Sequence, residues 1–260
     1  MSVEASTDTG TDLFYPRLCV LDQVAAATMT YSTQATGYEG VAVQGPQTYT
    51  GWKPTAVTAT LTATFASAKD VNYIGLFILS TGGCTFRPQK YSGGSYVNVG
   101  ADVTPSAAGA VLWLIDSVST DRIRINVTGG TSMPIIAVMK AGVATVFPIG
   151  MPPGYKPSYL NPQDVLTNQF SEGGQILGST LVSSMARDDI SIDNVAADWV
   201  RTNWPTVRDA LRTKGAFWTW NPDDYPDELI YGGLDGVPSA EYTSNLYMRV
   251  SFALEGPRVL

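Results

Sequence analysis

The chain has no histidine among its 260 residues. That absence removes the Ser-His-Asp triad, the Cys-His dyad, histidine general-base catalysis and every His-ligated metal site. There are only two cysteines, Cys19 and Cys84, too few for a disulfide framework or a four-cysteine zinc site. Both lie in apolar, β-like contexts and read as buried free thiols, with a disulfide as the alternative. Charged residues make up only 15%, which excludes a long coiled coil. No stretch approaches the ~20 apolar residues that span a bilayer. The start, Met1 to Gly10, lacks the basic opening and apolar core of a signal peptide. GxGxxG, Walker, CxxC and G-x-S-x-G patterns are missing too. Together these absences predict a soluble chain made in a reducing cytoplasm, not an enzyme, with no cofactor and no metal.

What is present is apolar and β-rich. Hydrophobic residues make up 44% and aromatics 10%, with 25 Gly and 16 Pro, which argues against wholesale disorder. The net charge of −7 is uneven. Residues 1–147 carry 8 Lys and Arg against 9 Asp and Glu, and residues 148–260 carry 8 against 14. Neither half is a basic surface, so sequence-specific nucleic acid is not an expected partner, and neither is a membrane interior.

The first half alternates with period two. Val57, Ala59, Leu61, Ala63 and Phe65 face one way and Thr58, Thr60, Thr62 and Thr64 the other, the pattern of a half-buried strand. Val71 to Leu79 is nearly continuously apolar and fits a strand buried on both faces. Gly93-Gly94 marks a hairpin between Thr85–Tyr91 and Tyr96–Val99. Ala110–Ile115, Arg122–Thr128 and Pro134–Met139 continue the series, while Val20–Met29 reads equally as strand or short helix. Around Phe147 to Pro157 the chain turns rich in Pro and Gly, as a linker does.

Beyond it, Val165–Phe170 and Gln175–Met185 read as strands parted by Gly173-Gly174. One strong helix follows, with Asp193 as its expected N-cap, Lys214-Gly215 at its end, and a kink or break at Trp204-Pro205. An aromatic strand at Phe217–Trp220, an acidic turn, a strand at Leu229–Gly232 and a last strand at Tyr242–Leu254 complete the reading. The expected fold is mainly β: an N-terminal jelly-roll β-sandwich, then a smaller α+β domain with one main helix. The expected organisation is a flexible arm at 1–12, the sandwich at 13–146, a Pro/Gly-rich linker at 147–160 and the second domain at 161–260.

Three groups of residues invite a chemical reading. Asp223, Asp224, Asp227 and Glu228 put four carboxylates within six residues. They read first as a solvated turn fixed by Pro222 and Pro226; a Ca²⁺ site and a glycosidase pair are the alternatives. Asp188, Asp189 and Asp193 read as acids favoured by a helix N-terminus. Trp52, Tyr91, Tyr96 and Trp113 read as core or sheet aromatics. The alternative is a sugar platform on which Arg87, Gln89 and Asn98 supply hydrogen bonds. Trp199, Trp204, Trp218 and Trp220 read as core of the second domain.

Two segments carry resemblances. Trp52, the Thr-rich strand, Val71-Asn72-Tyr73-Ile74-Gly75-Leu76, Tyr96–Val99, Arg122–Ile125 and Pro134–Val138 together resemble the galactose-binding-like, discoidin-type jelly roll. Gly173–Ser179, Trp199 to Leu211, and Phe217-Trp218-Thr219-Trp220-Asn221-Pro222-Asp223-Asp224-Tyr225-Pro226-Asp227-Glu228 through Tyr231 resemble the structural domain of tailed-bacteriophage minor or distal tail proteins. That resemblance implies a virion tail-tip or baseplate component, assembled in the host cytoplasm. It also implies a ring around the tail axis, with copies of itself and other tail proteins as partners. Trp218, Trp220, Asp223, Asp224, Tyr225, Asp227 and Glu228 then become motif or interface residues. The other expectation is a carbohydrate-binding module that touches a host surface glycan through Trp52, Arg87, Tyr91 and Tyr96.

Overall fold

The structure is a computed structural model, and it describes residues 3–6 and 13–258. Its strands in chain order are β1 (Val3–Ser6), β2 (Arg17–Asp22), β3 (Thr28–Tyr31), β4 (Ala59–Ser80), β5 (Thr85–Ser92), β6 (Ser95–Asn98), β7 (Gly109–Thr128) and β8 (Ile135–Val146). Then come β9 (Gln163–Phe170), β10 (Ile176–Ala196), the single α-helix α1 (Ala197–Leu211), β11 (Ala216–Thr219), β12 (Leu229–Tyr242) and β13 (Tyr247–Pro257). The fold is mainly β, as the period-two pattern predicts.

The first half is built on β4 and β7, of 22 and 20 residues, paired antiparallel along most of their length. Both are irregular near their middles, where the register shifts between Thr64 and Lys69 and between Val71 and Tyr73. Such irregularities bend a ribbon. Here the Leu61–Phe65 and Ile74–Ile78 stretches share one core with Trp52, Phe86, Trp113 and Ile125. The Val71–Leu79 run is buried on both faces, as its composition predicts. Ile74, Leu76 and Ile78 enter that core, while Tyr73 and Phe77 enter a second one with Leu112, Leu114, Phe217 and Tyr231. Val20–Met29 resolves into both readings: the end of β2, a 3-10 turn at Val24–Ala26, and the start of β3.

The strand order β6-β5-β7-β4-β8-β2-β11-β12-β13-β10-β9 carries one sheet from the first half into the second. The seam is β2, which pairs with β8 on one side and β11 on the other. Gly75 leaves room there. A Cβ at that position would lie 2.5 Å from the Phe217 ring, closer than packed atoms tolerate. Of the expected arm, Val3–Ser6 forms β1, parallel to Val111–Leu114 of β7. Residues 1–2 and 7–12 lie outside the described residues.

Helix α1 lies on the second half of the sheet. Val200, Trp204, Val207 and Leu211 are buried against Leu18, Val20, Trp218, Ile230 and Phe252, each worth ~1.5–3 kcal/mol on burial. One sequence expectation fails here, and of the two alternatives at Trp204-Pro205 the break is excluded. Asp193 is not the N-cap; it sits in β10 and pairs with Arg249, and the cap is Ala196, without a side-chain bond. The helix also does not break at Pro205 but runs through it to Leu211. The packed face holds the turn together against the lost backbone hydrogen bond. The last expected strand, Tyr242–Leu254, is interrupted: β12 ends at Tyr242 and β13 begins at Tyr247.

Candidate functional site

The Pro/Gly-rich stretch is tied down at several points. Phe147 is fully buried and packs on Trp199, Trp218 and Phe252. The Tyr155 hydroxyl donates to Asp188 at 2.8 Å, and the Ser158 amide donates to the other Asp188 oxygen at 2.6 Å. Trp218 Nε1 in turn donates to the Tyr155 oxygen at 3.0 Å. Asp188 is therefore not a helix-terminal acid. It is a buried acceptor in β10, and burial pushes its carboxyl above the usual carboxylate range, with nearby Glu228 acting in the same direction. The same burial raises the Tyr155 hydroxyl. Asp189 lies outside this network and pairs with Arg187 at 3.1 Å.

The acidic turn is organised by its neighbours. Asn221 donates to Asp224 and accepts from the Asp224 amide, at 2.9 and 3.2 Å. Tyr225 stacks on Trp220 with ring centroids 5.0 Å apart, and Trp220 Nε1 donates to Glu228. Glu228 is buried, whereas Asp223, Asp224 and Asp227 are exposed. Among the described residues no three Asp, Glu or Cys side chains converge as a metal site requires. The turn is a structural clasp: Trp218 lies in the core, and Trp220, just past the end of β11, packs at the edge of that same core while it holds Tyr225 and Glu228 of the turn.

The sugar-platform residues divide. Trp52 is buried, with its Nε1 donating to the Thr33 carbonyl at 3.0 Å. It presents no ring to solvent, which corrects its place in that set, and Trp113 is likewise core. Tyr91 and Tyr96 do come together, half-buried on the β5–β6 hairpin with centroids 5.2 Å apart. β7 places Arg122 over the Tyr91 ring at 4.4 Å and Arg124 over Tyr96 at 3.6 Å. Arg124 donates twice to Gln89, and Gln89 donates to Asn98. Partial burial holds the Arg124 guanidinium below its usual range. Arg87 is held by Asp102, which raises the guanidinium and lowers the carboxyl. The result is a rigid surface of stacked Arg and Tyr side chains with hydroxyl and amide groups around it.

The largest feature was not singled out as a site by the residue types. From Gln163 to Phe170 and from Ile176 to Ser183 every residue is exposed. β10 meets β13 only from Met185 onward, so the distal half of β10 pairs with β9 alone. The two strands form a ribbon that leaves the body and reaches roughly 25 Å at about 3.3 Å per residue. Gly174 at its tip takes φ +79°, which a glycine adopts without strain. Yet Val165, Leu166, Phe170, Ile176, Leu177, Leu181 and Val182 on this ribbon are 41–72% exposed. Neighbours in the chain point to opposite faces of a strand, so the adjacent pairs at 165/166, 176/177 and 181/182 make both faces apolar.

No protein-family model matches the sequence, and no curated protein matches it either. Among solved structures the chain is similar to chitosan-binding module 1 from a chitosanase/glucanase of Paenibacillus sp. IK-5. The two are 15% identical with a TM-score of 0.41, over 47% of this chain and 98% of that one. Chitosan-binding module 2 of the same enzyme, solved with chitotriose, is 12% identical with a TM-score of 0.40, over 47% of this chain and all of the module. A pectin-binding carbohydrate-binding module is 11% identical with a TM-score of 0.41, over 48% of this chain and 94% of the module. Likeness at these values transfers no ligand to this chain.

Proposed function

We propose that this chain is a structural subunit that works by joining copies of itself and neighbouring proteins into a larger assembly. The observation that carries this reading is the β9–β10 ribbon, apolar on both faces and projecting from the body. A monomer rarely leaves so much contiguous apolar surface in water, and such patches mark association sites. The tail tip of a tailed-phage virion is the assembly that the resemblance of Gly173 to Tyr231 implies, with a ring around the tail axis as its form. The test is the mass of the purified chain by light scattering across a concentration series, with particles imaged by electron microscopy. Rings or defined oligomers support the reading. A monomer at every concentration up to the solubility limit sinks it.

A second reading, glycan binding by the first half, is favoured by the Tyr91–Tyr96 surface. Ring edges, hydroxyls and the Gln89 and Asn98 amides there suit a polar, ring-shaped ligand. A glycan array with the intact chain and with Tyr96→Ala tests it. Binding lost in the variant supports this reading, and an array without signal removes it.

A further inference from the structure

We infer that the tip of the β9–β10 ribbon docks on a second copy of this chain. Its seat there is the cavity between the C-terminal end of α1 and β12, where Glu172 of the tip faces Arg212 and Lys214 of the other copy. The inference rests on the assembly reading above and names the contact that reading requires.

Three observations support it. The first is area. The seven large apolar side chains of the ribbon expose on the order of 700 Å², close to the ~800 Å² that each partner contributes to a specific interface. The occupant is therefore a protein surface, and a small ligand would cover only a fraction of it. β9 also ends the strand order, so its outer backbone edge remains open to the same neighbour.

The second is the receiving shape. A cavity of 490 Å³ lies beside the end of α1, lined by Pro46, Leu211, Leu234, Val237, Arg212 and Lys214. Val237 on its rim is 88% exposed. The floor is apolar and the rim is basic.

The third is charge. Glu172 is exposed at the tip between Phe170 and the Ile176-Leu177 pair, and it makes no ion pair among the described residues. Arg212 and Lys214 make none there either. They also sit at the C-terminal end of α1, where cations are favoured by the helix dipole. An unpaired carboxylate on an apolar tip and two unpaired cations on an apolar cavity are complementary in both respects. Tip and cavity are different surfaces, so the contact is heterologous and propagates from copy to copy.

The experiment measures association of the full chain by light scattering. Glu172→Arg weakens association by about ten-fold or more, and so does the Arg212→Glu, Lys214→Glu pair. All three residues lie on the surface, so circular dichroism and melting stay as in the wild type. Combining the three substitutions restores association. In an equimolar mixture of Glu172→Arg with the Arg212→Glu, Lys214→Glu chain, each tip meets a cavity of opposite charge only on the other variant, so the mixture regains association by alternating the two chains, whereas each variant alone stays dissociated. If the wild type associates and Glu172→Arg leaves it unchanged, or the triple variant is not rescued, this docking is overturned while the assembly reading stands. A wild type that never associates overturns both.

Discussion

The β4–β7 ribbon and the β9–β10 ribbon are built from similar material and end in opposite environments. Both are long antiparallel pairs rich in Val, Leu, Ile and Phe, and both carry register shifts. In β4 the apolar residues meet two cores, one on each face. In the distal part of β10 the same residue types meet solvent on both faces. Alternation tells a strand how to place its side chains. What stands opposite decides whether they are buried, and for the outer part of β9–β10 nothing among the described residues stands opposite. Natural proteins protect exposed strand edges with charge or proline, whereas the only carboxylates on this ribbon are Asp164 at its base and Glu172 at its tip.

The sharpest way to break that comparison is one substitution made in both places. Phe77→Ala, in the doubly buried stretch of β4, is expected to lower stability by about 3–5 kcal/mol. Phe170→Ala, on the ribbon, is expected to change monomer stability by no more than about 0.5 kcal/mol. Urea titrations of the two variants, at concentrations too low for association, check this. Equal losses would mean that the ribbon packs on its own body in solution.

Next in size is the buried pair at the base of β8. Lys140 lies 3.3 Å from Asp22, and both side chains are almost wholly enclosed. Asp22 also accepts from the Val24 and Ala141 amides. Burial pushes the Lys140 ammonium below its usual range, with Asp22 opposing that shift. Asp22→Ala strands a buried cation and two amides, and about 3–5 kcal/mol of stability is expected to go with it. The ribbon holds no buried charge pair. There Asp164→Ala, which removes half-exposed contacts to Ser184 and Arg258, is expected to cost about 1 kcal/mol or less.

The smallest effect lies where β10 passes from ribbon to body. Asp188 is the first buried side chain along β10 after the ribbon, and its folded pKa stands above its ordinary value of 3.8. The folded state then holds this proton more tightly than the unfolded state does. Its contribution is fully present below pH ~4 and is lost as pH rises through the raised value. Subtracting the stability-versus-pH curve of Asp188→Asn from that of the wild type is expected to show this falling limb. A flat difference curve would show that the junction is open to water like the ribbon beyond it.

Much of this was legible in the sequence. Thr58–Phe65 and Val71–Leu79 announce one strand with a polar face and one without. The order of strands around α1, and Trp218 as core, follow from local pattern and turn chemistry. What was not legible depends on distant partners. Trp52 reads as a core or sheet aromatic with a sugar platform as the alternative, and only the Thr33 carbonyl and Ile136 beside it decide between the two. The Pro/Gly stretch reads as a free linker because Asp188, 33 residues beyond Tyr155, cannot be foreseen as its anchor. Asp193 matches the N-cap preference, but its partner Arg249 lies far along the chain and draws it into the sheet. The exposure of the ribbon leaves no trace in alternation at all.

The place of β2 in the sheet sets the order in which the chain acquires its structure during synthesis. Residues 17–22 leave the ribosome before either of their sheet partners, pair with β8 only after residue 142, and meet β11 only after residue 217. At about 5–20 residues per second, the roughly 70 residues between the end of β8 and the start of β11 take on the order of 4–14 s. Throughout that interval the first half can close its own core while one side of β2 stays an open template. A chain stopped before Phe217 carries that edge permanently, so premature termination yields a sticky fragment instead of a smaller working protein.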